Sequence, residues 1–356
     1  MDFARLEISR AIDAIRSSLA QWTVNEQFER HPEMAERYRA GARSAWVDDS
    51  LVRIDQLADA VALDRPEVFA DHVAWMKVNF TARKLPIEDI RSNLQALRDV
   101  VAEELPERAS EAAVRCIDAG LRRLATASDQ APSAIAQDAP HAELARGYLS
   151  SLLEGRRDQA ERLVLDAMDR GVSAEDVLQR IIEPAQSEVG RLWQVGEITV
   201  ADEHMCTAAS QLIISQVFAR ATRSERNDRR VFITSVVGDL HDMGPRMLAQ
   251  FFEIAGWDAR LLGANTPTPD LIEALTRWSA DALALSCSFP GRLRRCAELI
   301  AALRAEPRLE RMVILVGGAA FRPAGDLWEA VGADASAASG AEAVFVADRL
   351  VRERAG

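Results

Sequence analysis

A chain of 356 residues exceeds one ordinary hydrophobic core and fits two or three domains. Its formal charge of −12 excludes nonspecific affinity for DNA or anionic membranes, because both need a basic surface. No uncharged apolar run is long enough to span a bilayer. The N-terminal MDFARLEISRAIDAIRSS is an amphipathic helix pattern rather than a secretory signal, so the chain is expected to keep it and to work in the cytoplasm. Cys116, Cys206, Cys287 and Cys296 stand far apart without CxxC spacing, which suggests small buried residues rather than a zinc site or a disulfide framework.

In chain order, residues 1–125 show helical periodicity throughout, as in IDAIRSSLAQW, LVRIDQLADAVAL, VFADHVAWMKVNF and IRSNLQALRDVVAEEL, with breaks at His31-Pro32, Asp64-Arg65-Pro66 and Leu85-Pro86. About six helices are expected there. Residues 126–140, rich in Ala, Ser, Gln and Pro, read as a linker. Residues 141–225 return to helical spacing in four segments, with Gly155 and Gly171 where helix ends are expected, and predict a small four-helix bundle. From residue 229 to 356 the period changes. Short apolar runs (VFITSVV, ARLLG, ALALSCS, MVILVGG and the weaker AASG) alternate with amphipathic helices, which predicts a doubly wound parallel sheet of Rossmann-like type. The fold class expected overall is α plus α/β.

Ligands of such sheets bind at the carboxyl ends of the strands, and three short motifs fall on that edge. They are Asp239-x-His241-x-x-Gly244, Ser286-x-Ser288 and Gly317-Gly318. Their order and spacing resemble the fingerprint of base-off/His-on cobalamin-binding domains, usually written DxHxxG, SxL and GG, with Ser288 standing where that fingerprint has Leu. The resemblance implies that His241 replaces the lower axial base on cobalt, a role that suits a neutral imidazole. Asp239 would accept the other ring N–H and fix the tautomer. Gly244 would let the chain turn tightly into the next helix, Gly317-Gly318 would let the nucleotide tail approach backbone, and Ser286 would offer it a hydroxyl.

The bundle carries a second pattern, Trp193 followed by Glu203-His204 (Trp-x9-Glu-His), in RLWQVGEITVADEHMCTAA. It resembles the cap of cobalamin-dependent light sensors such as the light-responsive repressors of carotenoid synthesis. That resemblance implies adenosylcobalamin, with Trp193 over the upper ligand and Glu203 and His204 bonded to the adenosyl group. In those repressors the residue after the Trp is a histidine that takes the upper cobalt position in light; here it is Gln194, so a bis-histidine light state would use another residue, such as His204 or His141, or would not form.

The light-responsive repressors begin with a helix-turn-helix, and residues 1–125 contain nothing like one. A long helical block ahead of a cobalamin sensor is similar in architecture to photocobilins, whose globin-like, haem-free domain holds a bilin. The resemblance implies possible noncovalent biliverdin, with His31, Arg39, His72, Trp75 and Arg83 as local candidates and Cys116 as the one cysteine available for attachment. The reading at this level is a light-sensing signalling protein without a catalytic acid–base pair, acting through a downstream protein or self-association, with no direct DNA or membrane binding. The alternatives are a corrinoid methyl carrier or methyltransferase component, the cobalamin subunit of a mutase, and a cofactor-free signalling domain.

Overall fold

The structure is a computed structural model that describes residues 3–38, 41–322 and 326–355. The chain divides into two compact units, Met1–Gln130 with Phe289–Ala297, and Ala131–Ser288 with Glu298–Gly356.

The first unit is helical. Among the described residues it contains α1 (Phe3–Ala14), α2 (Arg16–Arg30), α3 (Glu33–Arg37), α4 (Ala42–Leu63), α5 (Pro66–Ala82), α6 (Ile87–Glu104) and α7 (Glu107–Thr126). Local chemistry sets several of the boundaries. Asp64 ends α4 in the left-handed region with φ 54°, and Pro66 opens α5 where a missing backbone N–H has no intrahelical partner to lose. Leu19, Ile54, Leu57, Phe69, Ile90, Leu94 and Leu97 form the apolar interior. Gly120 of α7 lets α5 come close, since a Cβ there would stand 2.9 Å from the Phe69 ring. A buried polar seam runs through this core: Asn93 Nδ2 donates to Gln27 Oε1 at 2.7 Å, and the buried Arg53 guanidinium donates to Asn93 and to Ser50 Oγ. The unit is helical as expected, with seven helices among the described residues where about six were expected; they do not by themselves make the unit a globin.

The second unit begins with α8 (Ala142–Leu153), α9 (Arg157–Asp169) and α10 (Ala174–Asp176), which runs through a π-helical stretch, Val177–Ile182, into α11 (Glu183–Gln194) and then α12 (Val200–Arg220). The preceding segment is tied down as well. The buried Glu188 carboxylate accepts from the Ala134 N–H at 2.6 Å and from Ser133 Oγ at 3.1 Å.

The sheet region follows as β1 (Arg230–Ser235), α13 (Met243–Ile254), β2 (Asp258–Gly263), α14 (Thr268–Arg277), β3 (Ala282–Ser286), α15 (Leu293–Arg304), β4 (Val313–Gly317), α16 (Leu327–Val331), β5 (Ala335–Ser336) and α17 (Gly340–Ala355). The described strands form one parallel sheet in the order β2-β1-β3-β4-β5. That order is doubly wound, with its topological switch point between β1 and β3. Bundle and sheet share a core, because Met247, Phe251 and Ile254 of α13 pack with Tyr148, Val177, Ile181 and Ile213 of the bundle. Among the described residues no helix is long and apolar enough to cross a membrane.

Candidate functional site

Register aligns the three motifs. Ser235 is opposite Ser286, and Ser286 is opposite Gly317, so the loops after β1, β3 and β4 leave the sheet level with one another. The first two flank the switch point, where a crevice opens at the strand ends.

The loop after β1 is built around one carboxylate. Asp239 is 1% exposed. Its Oδ1 lies 2.9 Å from His241 Nδ1 and accepts the His241 backbone N–H at 3.1 Å, while Oδ2 accepts the Ser288 backbone N–H at 2.6 Å. Ser235 Oγ donates to the His241 carbonyl at 2.9 Å and Asn265 Oδ1 accepts from Gly238 N–H at 3.0 Å, fixing the loop from both sides. The His241 side chain is 62% exposed. With Nδ1–H given to Asp239, Nε2 is the ring nitrogen that carries the lone pair.

The electrostatics follow from this geometry. Burial alone would raise the Asp239 carboxyl, but hydrogen bonds from the His241 ring and from the Ser288 and His241 amides outweigh it and hold the group below its ordinary value. The same pair raises the His241 imidazole, first through its hydrogen bond to Asp239 against the opposing effect of burial, with further help from the charges of Asp239, Glu203 and Asp242. The effect of Glu203 places α12 within electrostatic reach of the loop, and Gln211 Nε2 of the same helix donates to Asp242 Oδ1 at 3.2 Å.

The glycines divide by reason. Gly318 has φ 98°, and a Cβ there would stand 2.4 Å from the Cys287 carbonyl oxygen, so backbone demands glycine. At Gly317 a Cβ would meet the Ala337 carbonyl at 3.2 Å. Gly244 differs from the expectation of a tight turn. It lies in the first turn of α13 with an ordinary φ, and a Cβ there would meet nothing within 4 Å. Its missing side chain leaves open space at the start of α13.

On the bundle, α12 opens with a capping box in which Thr199 and Asp202 bond reciprocally, and this sets the first turn that carries Glu203 and His204. Glu203 Oε1 accepts from Thr207 Oγ1 at 2.8 Å, and Glu203 Oε2 lies 2.5 Å from His204 Nδ1. Trp193, at the end of α11, is 39% exposed despite its size. What the β3 loop supplies to this arrangement is the Ser288 amide.

The bilin candidates do not gather in the same way. His72 and Trp75 stack on α5 with ring centroids 6.0 Å apart, His31 pairs with Glu33 at 3.3 Å, and Arg83 donates to the Asn79 carbonyl at 3.2 Å. Arg39 lies outside the described residues.

The donor set suits a corrinoid. Among the described residues no group of three His, Cys, Asp or Glu side chains is placed to hold a metal ion, whereas a macrocycle that brings its own in-plane nitrogens needs one imidazole from the protein. His241, oriented by a buried carboxylate, is an imidazole of the kind such a group would need.

A B12 binding domain model matches residues 229–346, and a second B12 binding domain model matches residues 144–217. The chain carries cobalamin-binding domains. Dimethylamine corrinoid protein 3 of Methanosarcina acetivorans is 26% identical over 193 residues, covering 53% of this chain and 89% of the relative. Dimethylamine corrinoid protein 2 of the same organism is 25% identical over 218 residues, covering 57% of this chain and 99% of the relative. The solved monomethylamine corrinoid protein of Methanosarcina barkeri matches in fold with a TM-score of 0.52 at 21% identity, over 59% of this chain and all of that one.

These relatives overturn the light-sensor expectation. They are corrinoid proteins named for dimethylamine, and none of them is named as a light sensor. The bundle that suggested a photoreceptor lies within residues 144–217, which match a B12 binding domain model, and the histidine of the light-responsive repressors after the Trp is Gln194 here. Neither the adenosyl form of the cofactor nor biliverdin is established by the relatives.

Proposed function

We propose that this chain is a corrinoid carrier of a methyl-transfer system. It would hold cobalamin through the His241 imidazole and act with methyltransferase partners in the cytoplasm. The observation that carries the reading is the His241–Asp239 pair at the switch-point edge, in a chain that is similar to nearly the whole length of the dimethylamine corrinoid proteins. When bound, cobalamin supplies a cobalt centre that accepts a methyl group from one partner and gives it up to another.

The protein's own residues divide the remaining work. Asp239 holds the imidazole in one tautomer and orientation, so ligation loses little rotamer freedom. Gly244 keeps the neighbouring volume clear, and Gly317-Gly318 presents backbone to the nucleotide tail. Trp193, Glu203 and His204 would face the bound cofactor from the bundle, with Trp193 excluding water and Glu203 restraining His204.

Titration of the full chain with hydroxocobalamin, methylcobalamin and adenosylcobalamin tests this reading. A carrier retains the methyl form at least as tightly as the adenosyl form, and Trp193→Ala leaves that ratio unchanged. A preference for the adenosyl form of about tenfold or more, roughly 1.4 kcal/mol, that collapses in Trp193→Ala contradicts it.

A further inference from the structure

Helix α12 is apolar around more of its circumference than its place in the bundle requires. Three stripes run along it. Cys206, Ile213, Ile214 and Val217 are buried in the bundle core. Glu203, Thr207 and Gln211, one turn apart, form the side toward the His241 loop, where Thr207 Oγ1 donates to Glu203 Oε1 at 2.8 Å and Gln211 Nε2 donates to Asp242 Oδ1 at 3.2 Å. The third stripe is Ala201, Met205, Ala208, Leu212, Ser215 and Ala219, and every member is exposed.

Composition sets the third stripe apart. Charged residues make up 28% of the chain, yet no Asp, Glu, Lys or Arg lies between Met205 and Ala219. Met205 is 45% exposed and Leu212 is 56% exposed in the body of a helix, where a solvated face ordinarily carries charge. The stripe advances by alternating steps of four and three residues, the repeat by which one helix packs along another.

Charge selects what covers it. The first turn of α12 carries Asp202 and Glu203, its last turn carries Arg220, and Arg223 follows with its guanidinium 4.3 Å from the Phe218 ring centre. A second copy of α12 laid antiparallel sets each acidic first turn against the basic last turn of the other helix and aligns the two helix dipoles favourably, whereas a parallel copy sets like charges together. The pairing of Arg220 with Asp169 within the chain, at 3.4 Å between two exposed side chains, is worth little and does not compete strongly.

Side-chain size selects the register. Met205 and Ala219 stand equally far from Leu212, about two turns to either side, so a two-fold axis at Leu212 brings each long methionine against the small Ala219 of the partner subunit.

We propose that the Ala201–Ala219 stripe is a homodimer interface, in which α12 pairs antiparallel with α12 of a second copy of this chain about a two-fold axis at Leu212. The interface uses a side of α12 other than the one that carries Glu203 and Thr207, and it does not depend on the cobalamin reading.

Sedimentation of the full chain at up to about 100 µM, with wild type and Leu212→Glu, tests the interface. Diamide oxidation of Leu212→Cys, of Met205→Cys and of the double variant Met205→Cys/Ala219→Cys tests its geometry. All these positions are exposed and the four native cysteines are buried, so the variants are expected to fold and the native thiols to stay silent. Wild type is expected to be a dimer and Leu212→Glu a monomer. Leu212→Cys and the double variant should give covalent dimers, and Met205→Cys alone should not. A monomeric wild type overturns the proposal and leaves the stripe to a different partner, and a dimer that survives Leu212→Glu overturns it by placing the contact elsewhere. A link through Met205→Cys alone, or none through Leu212→Cys, overturns the antiparallel pairing.

Discussion

The backbone N–H of Ser288 donates to Oδ2 of Asp239 at 2.6 Å, tying the loop after β3 to the loop after β1 across the switch point of the sheet. The other carboxylate oxygen holds the His241 ring. One buried side chain therefore organises both walls of the crevice and orients its candidate metal ligand.

Substitution of Asp239 separates these two tasks. Asp239→Asn keeps an acceptor but removes the charge that raises imidazole basicity, and we expect cobalamin affinity to fall about 10–100-fold with modest loss of stability. Asp239→Ala also strands the Ser288 amide, which costs about 1–3 kcal/mol of folding free energy. Spectroscopic titration and denaturant unfolding measure the two effects, and equal affinity in wild type and Asp239→Asn would remove Asp239 from the site.

Gly318 and Gly244 are expected to respond in opposite ways. Gly318→Ala forces a side chain into the left-handed region and against the Cys287 carbonyl, so the apoprotein is destabilised by roughly 1–3 kcal/mol. Gly244→Ala meets open space in the first turn of α13, and apoprotein stability is unchanged or raised by up to about 1 kcal/mol. Its effect is instead on cobalamin, whose binding it obstructs. Thermal unfolding of the two apoproteins, together with hydroxocobalamin titration of Gly244→Ala, checks the pair; undiminished cobalamin binding by Gly244→Ala would show that the open space is unrelated to the cofactor.

The N-terminal unit has an acid limit of its own. Burial, and then the neighbouring Arg53 guanidinium, push the His72 imidazole down from 6.5 to about 3. The unfolded chain therefore takes up the proton first. The stability contributed by neutral His72 is complete above about pH 6.5 and is lost progressively as pH falls toward 3, at no more than about 1.4 kcal/mol per pH unit. His72→Phe keeps a ring against Trp75 and removes the proton, so it flattens the pH dependence of exchange protection in α5 over this range. An unchanged slope in His72→Phe would assign the acid sensitivity to other groups.

Much of the second unit was legible in the sequence because its signals are periodic. The apolar runs at Val231, Ala282 and Val313 alternate with amphipathic helices, and the motif residues fall where those runs end. The Asp239–His241 relation was legible as well, since two side chains two positions apart on a loop have few ways to meet. The Asp239–Ser288 bond was not, because a backbone amide leaves no mark in residue identity. Nor was the attachment of Phe289–Ala297 to the N-terminal helices: the pattern of α15 is one continuous amphipathic helix, and its first turn and its remainder look alike. Trp193, Glu203 and His204 misled about function because they lie in a stretch that matches a B12 binding domain model, so their presence speaks for cobalamin binding more than for the chemistry performed with it.

The most direct test of the account is the electron paramagnetic resonance spectrum of the full chain loaded with cobalamin reduced to the cobalt(II) state. It should be recorded for protein grown with ordinary and with ¹⁵N-labelled histidine, and for His241→Ala. Ligation by His241 predicts axial nitrogen splitting that changes from the ¹⁴N to the ¹⁵N pattern on labelling and disappears in His241→Ala. A spectrum indifferent to the histidine label and to His241→Ala would mean that cobalamin keeps its own lower base, and would contradict the site described here.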